Sequence, residues 1–177
     1  MKIYLTESDI ISIVKKCVNE SIVTYYDSLS NGAQDILSTI LPNADYDNLE
    51  NMSYKELYFI YDKLCNEEFE LKRNIMKIGD NWKIGFKDTM KTDEYKFVEY
   101  LIKAILASKE KSVEYTYLGY ANGWGEKEYD LQKKLDSMVE NNLAIKNTFA
   151  YKAYGYVVLD ENGNPQHVYT YNIDSSG

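Results

Sequence analysis

Near residue 149 the spacing of apolar side chains changes from about 3.6 residues to two, and this switch limits the fold class more than any other feature. Upstream, apolar residues recur at helical intervals. Downstream, from Phe149 to Ile173, Tyr154, Tyr156 and Val158 alternate along one segment, and Tyr169, Tyr171 and Ile173 along the next. The connecting DENGNP contains Asn162-Gly163, a strong hairpin turn signal because both residues tolerate left-handed backbone. Helices first and a hairpin last make an α+β chain: a mostly helical N-terminal half, then a helix pair and a β-hairpin.

The first helical stripe is Ile11, Val14, Val18, Ile22 and Tyr25, opened by Thr6 as cap, with Asp9 in the capping-box position and Glu7 in the first turn. Residues 1–26 read as an arm that presents Ile11, Val14, Val18 and Ile22 to a neighbour. Residues 27–92 read as a helical region. A short helix is expected over Ala33–Leu41, stopped by Pro42, and PNADYDNLEN reads as a loop. Ser53 caps a strong helix from Tyr54 to about Ile78, with Tyr54, Leu57, Tyr58, Tyr61, Leu64 and Cys65 inward and Glu68–Lys72 on its exposed side. NWKIGF reads as an extended piece or turn anchored by Trp82. A helix over Glu94–Ser108 follows, capped by Thr92 or Asp93, then Val113–Leu118 as a strand or short helix, and a helix over about Glu126–Asn142.

The 177 residues carry a net charge of −8, and acids exceed bases in both halves, 15 to 11 over residues 1–92 and 13 to 9 over residues 93–177. Arg73 is the sole arginine, so the bidentate contacts that read phosphate and guanine are scarce and nucleic-acid binding is not expected. Cys17, Cys65 and His167 are isolated in sequence, which argues against a zinc site or a disulfide framework. No apolar run approaches the ~18 residues of a membrane span, and Glu7 and Asp9 spoil a secretory signal. Eighteen tyrosines suit half-buried surfaces, although codon bias in an AT-rich genome also enriches them.

The residues offer little chemistry. Nothing in the sequence places His167 near a hydroxyl and an acid, as nucleophilic catalysis requires, and it reads as a surface strand residue. Asn43, Asp45 and Asp47 open like a calcium loop, but Asn48 and Tyr54 stand where glycine and the bidentate glutamate belong. Gly123-Trp124-Gly125 lacks the third glycine of a phosphate cradle and is followed by Glu126 and Glu128. Glu67, Glu68 and Glu70 read as surface positions, not a converging carboxylate pair. Trp124 with Tyr115, Tyr117 and Tyr120 reads as an exposed aromatic patch for a partner or as core, with core packing favoured, and Tyr120 and Trp124 are the partner-binding candidates. No catalytic residue, metal or cofactor is expected, and the chain reads as a non-enzyme.

Two resemblances add context. The order helix 94–108, turn, helix 126–142, hairpin is similar to a winged-helix domain, and in LQKKLDSMVENNLAIK the residues Leu131, Leu135, Met138, Leu143 and Ile145 match that family's core pattern. Residues 93–177 would form this domain, with 149–173 as wing strands. The helix that would read DNA is net acidic, which points to protein-binding members of the family. LTESDIISIVKKCVNESI resembles the N-terminal segment carried by many proteins of Bacteroides tailed phages, the crAss-like group in particular. Leu5, Thr6, Glu7, Ser8, Asp9, Ile13, Val14, Lys15 and Val18 match, and Ile11-Ser12 replaces the His-Arg often found there. That resemblance implies a virion protein made in the host cytoplasm: a head–tail connector or tail-ring subunit, or a packaged internal protein. Its partners would be other virion proteins or copies of itself in a homo-oligomer. A winged-helix regulator that dimerises through residues 1–26 and binds DNA or a transcription partner is the competing reading.

Overall fold

The computed structural model describes residues 31–40, 46–78 and 82–174. The stripe of Ile11, Val14, Val18 and Ile22 lies outside the described residues. The elements are α1 (Asn31–Ile40), α2 (Tyr46–Asn51), α3 (Tyr54–Ile78), α4 (Trp82–Glu110), β1 (Glu114–Tyr120), a 3-10 turn (Ala121–Gly123), α5 (Glu126–Glu140), β2 (Ala144–Ile145), β3 (Tyr154–Leu159) and β4 (Pro165–Asn172). The chain is α+β. No helix among the described residues is long and apolar enough to cross a membrane.

Ser53 starts α3 as its position predicts. Its N–H donates to Glu56 Oε2 at 3.0 Å and Glu56 N–H donates back to Ser53 Oγ at 3.2 Å, a reciprocal capping box. The β3–β4 turn completes the cap. Tyr54 N–H donates to Asn164 Oδ1 and Lys55 N–H to the Gly163 carbonyl. A side-chain amide and a carbonyl of the distant turn thus satisfy donors that a helix start leaves unpaired, and this ties the sheet to the helices.

Two expectations change here. The stretch read as a loop contains α2, whose Leu49 is fully buried. The piece read as extended around Trp82 is helical and forms the first turns of the 29-residue α4. Thr92 and Asp93 lie inside α4 and cap nothing. The division between residues 92 and 93 falls within this helix.

The sheet has the order β1-β4-β3-β2, with β1 parallel to β4 and the other pairs antiparallel. It separates two cores. Towards α1–α4 it buries Ile145, Val157, Leu159 and Val168 among Ala33, Leu37, Leu57, Leu64, Val98, Leu101, Ile102 and Leu106. Each such side chain stabilises the fold by about 1.5–3 kcal/mol. Towards α5 it buries Tyr156 and Tyr171 against Leu135, with Leu131, Met138 and Trp124 partly covered. Asn142 at φ 58 ends α5, and Leu143 N–H donates to the Met138 carbonyl at 2.8 Å, a left-handed cap that turns the chain into β2. Leu143 itself is 54% exposed, so it does not join the core that its pattern predicts.

Candidate interaction surface

The hydrogen-bonded register places Tyr115 beside Val168 and Tyr117 beside Thr170, on the sheet face that carries the helical layer. Strict alternation would turn Tyr120 to the other face. The register instead slips between Tyr117 and Tyr120, so Leu118 and Gly119 span one residue of β4 and Tyr120 aligns with Asn172. Gly119 takes φ +79 at this bulge, a conformation strained for any side chain. The bulge therefore re-aims Tyr120 to the same face as Tyr115 and Tyr117. The three rings are 42, 45 and 44% exposed and form a ladder along the outer strand.

Local contacts fix the ladder. Tyr115 stacks on Tyr151 with ring centroids 4.5 Å apart, and Asn172 Nδ2 donates to the Tyr117 hydroxyl at 3.3 Å. Partial desolvation, then the neighbouring Tyr120 and Tyr115, raise the Tyr117 hydroxyl above the usual tyrosine value. Of the four aromatics that the sequence groups, Tyr115, Tyr117 and Tyr120 form this surface and Trp124 turns inward. Trp124 Nε1–H donates to the Leu118 carbonyl at 2.8 Å, and its ring meets Tyr171 at 4.9 Å and Tyr129 at 5.7 Å. The sequence groups all four aromatics but does not show which of them face outward, because β1 is too short for its period to fix a face before the bulge is known.

The opposite face of β1 corrects the reading of His167. His167 Nε2 is hydrogen bonded to Thr116 Oγ1 at 2.8 Å, and Nδ1 lies 3.7 Å from Glu114 Oε2. The strand pairing of Glu114 with His167 brings the three together. The order hydroxyl, imidazole, carboxylate is that of a nucleophilic triad, but Glu114 is 82% exposed on its side chain and too distant for a hydrogen bond. Thr116 and His167 also line none of the clefts described below. A cross-strand polar pair is the chemistry this geometry supports.

Two carboxyl sites lie deeper. Glu110 is fully buried at the end of α4 and accepts from the Tyr54 hydroxyl at 2.7 Å, from Phe149 N–H at 3.0 Å and from Ala150 N–H at 2.9 Å. Burial raises its carboxyl while these donors pull the other way. It latches α3, α4 and the chain before β3 together. Glu68, read as a surface residue, is buried beside Glu99 where α3 meets α4, with Lys72 Nζ 2.5 Å from its Oε1. Desolvation and then the neighbouring Glu68 push Glu99 up to about 7. Burial opposes ionisation of Glu68, but Glu99 and Lys72 lower it. One proton shared between two carboxyls explains the opposed shifts. Among the described residues no cluster of His, Cys, Asp or Glu suits a metal ion.

A cleft of about 650 Å³ separates α3 from β2, with Tyr58, Phe59, Ile60, Val139, Ile145 and Leu159 among its walls. A second, of about 570 Å³, lies between Phe59 and Leu71 of α3 and Lys91 and Tyr95 of α4. No family model matches the chain, and no curated protein or solved structure matches it either.

Proposed function

We propose that this chain is a non-enzymatic structural or assembly protein of a tailed-phage virion, acting through protein–protein contacts. A head–tail connector or tail-ring subunit is the most concrete form, and a packaged internal protein the next. The observation that carries the contact role is the tyrosine ladder on β1. A bulge that gathers Tyr115, Tyr117 and Tyr120 on one exposed face provides rigid amphipathic rings of the kind that anchor interfaces. The phage setting rests on the resemblance of residues 5–18. In this reading Ile11, Val14, Val18 and Ile22 dock an arm on a neighbouring subunit, each side chain contributing about 1.5–3 kcal/mol before ordering costs. Repetition around an assembly adds avidity.

Mass spectrometry of purified phage particles, with copy number, tests the proposal. A defined copy number per particle is expected. Absence from particles, together with retardation of duplex DNA at low salt, would replace it with the winged-helix regulator. Deleting residues 1–26 tests the arm separately: the remainder should keep a cooperative melting transition, and its loss would make that segment part of the core.

A further inference from the structure

We propose that two copies of the chain pair antiparallel through the outer edge of β1, about a two-fold axis at Thr116, joining two four-stranded sheets into one of eight. This deepens the contact role proposed above by naming the partner as a second copy. β1 is a sheet edge, bonded to β4 on one side and to no strand on the other among the described residues. An open edge presents unpaired backbone donors and acceptors, which an extended strand satisfies better than any other occupant. Edges avoid pairing with charges, proline, bulges or extreme shortness, and on β1 the charge of Glu114 and the bulge at Leu118–Gly119 sit at the two ends, with Tyr115–Tyr117 between them. Residues 114–120, EYTYLGY, contain no lysine, arginine or proline. The other edge, β2, has two residues and offers too little to pair.

The register selects a second copy over an unrelated strand. A two-fold axis through the sheet must pass at a residue, or paired side chains would fall on opposite faces. With the axis at Tyr117, Tyr115 would face Gly119 inside the bulge. With the axis at Tyr115, Tyr117 would face Val113, before the strand begins. At Thr116 the two exposed rings serve each other: Tyr115 faces Tyr117 of the partner subunit, Tyr117 faces Tyr115 of the partner subunit, and Thr116 meets its own copy. Aromatic and threonine pairs of this sort are among the favourable cross-strand contacts. The bulge at Leu118–Gly119 ends the pairing, so the contact is short and the dimer reversible.

Sedimentation of the full chain over a concentration series tests this, with two variants of opposite expectation. The natural chain should rise in weight-average mass towards twice the monomer as concentration increases. Y115K/Y117K places lysine opposite lysine twice across the axis and should stay monomeric at every concentration. Y115K/Y117E removes the same rings but places lysine opposite glutamate twice, and should associate. Circular dichroism melts of both variants confirm that they fold. A natural chain that stays monomeric, association indifferent to the double lysine variant, or failure of the lysine–glutamate variant to associate would each overturn the proposal. Particles that contain a chain shown to be monomeric would remove this inference and leave the virion reading intact. A self-pairing chain absent from particles would do the reverse.

Discussion

The two cores on either side of the sheet are built from different materials. The core towards α1–α4 is mainly aliphatic, with leucine, isoleucine and valine from four helices and three strands, Tyr54 as the one buried ring among the described residues, and Tyr58, Tyr61, Tyr95, Phe149 and Tyr151 packed at its margin. The core towards α5 is aromatic: Tyr156 and Tyr171 are buried, with Trp124 and Tyr169 packed against them. Aliphatic side chains leave water entirely, so a polar group among them is costly unless it is satisfied inside, as Glu110 is by three donors. Tyrosine buries a ring and keeps a hydroxyl at the boundary. Tyr156 shows this by donating to Asp136 at 2.6 Å while Lys146 sits 5.4 Å above its ring. The aliphatic side supplies stability, and the tyrosine-rich sheet also keeps rings at its rim.

The largest expected effect breaks the aliphatic side at its latch. Glu110→Ala strands the Tyr54 hydroxyl and two peptide N–H groups in the core and should cost about 3–5 kcal/mol, read from urea unfolding. A loss under about 1 kcal/mol would mean that those donors find other partners.

Glycine sites separate crowding from backbone strain. A Cβ at Gly155 would lie 2.0 Å from the Tyr169 carbonyl oxygen, which strand pairing holds in place, so Gly155→Ala should cost about 2–3 kcal/mol. At Gly119 a Cβ meets nothing within 4 Å and only the positive φ is penalised. Gly119→Ala should therefore cost about 1 kcal/mol and change the near-ultraviolet tyrosine signal as Tyr120 re-aims. Equal losses at the two sites would contradict this distinction.

A pH titration sharpens the contrast on the helical side. Glu99 is raised from its ordinary 4.5 to about 7, so its stabilisation is complete below about 4.5 and fades as pH climbs through 7. Glu68 is lowered, so its contribution is retained above 4.5 and lost on acidification below it. Stability should peak between these limits and decline by on the order of 1–2 kcal/mol from pH 5.5 to 8, after allowing for partial exposure and coupling. Glu99→Gln should flatten that decline; an unchanged slope would place the titration elsewhere.

The smallest effect has the opposite sign. Thr170 is fully buried on the helical face of β4 and its Oγ1 has no hydrogen-bond partner. Thr170→Val keeps the shape, removes the stranded hydroxyl and should raise stability by about 1 kcal/mol, seen as a higher melting temperature. A fall would show that the hydroxyl is satisfied by water.

Local rules made some of these elements legible. Ser53 and Glu56 form a capping box from their spacing alone, and Leu57 and Leu64 fall on the buried side of α3. Alternation around Asn162-Gly163 gave the β3–β4 hairpin, because a pleated strand exposes its faces at period two. Thr116 with His167 and Glu68 with Glu99 were not legible, since each pair joins residues more than 30 positions apart through strand or helix pairing.

What the sequence alone determined is the α+β class, the capped α3 and the final hairpin, because capping and periodicity act within a few residues. Tertiary structure decided which tyrosines face outward. The parallel pairing of β1 with β4 and the slip at Gly119 set those faces, and both arise only when segments some 50 residues apart are brought side by side.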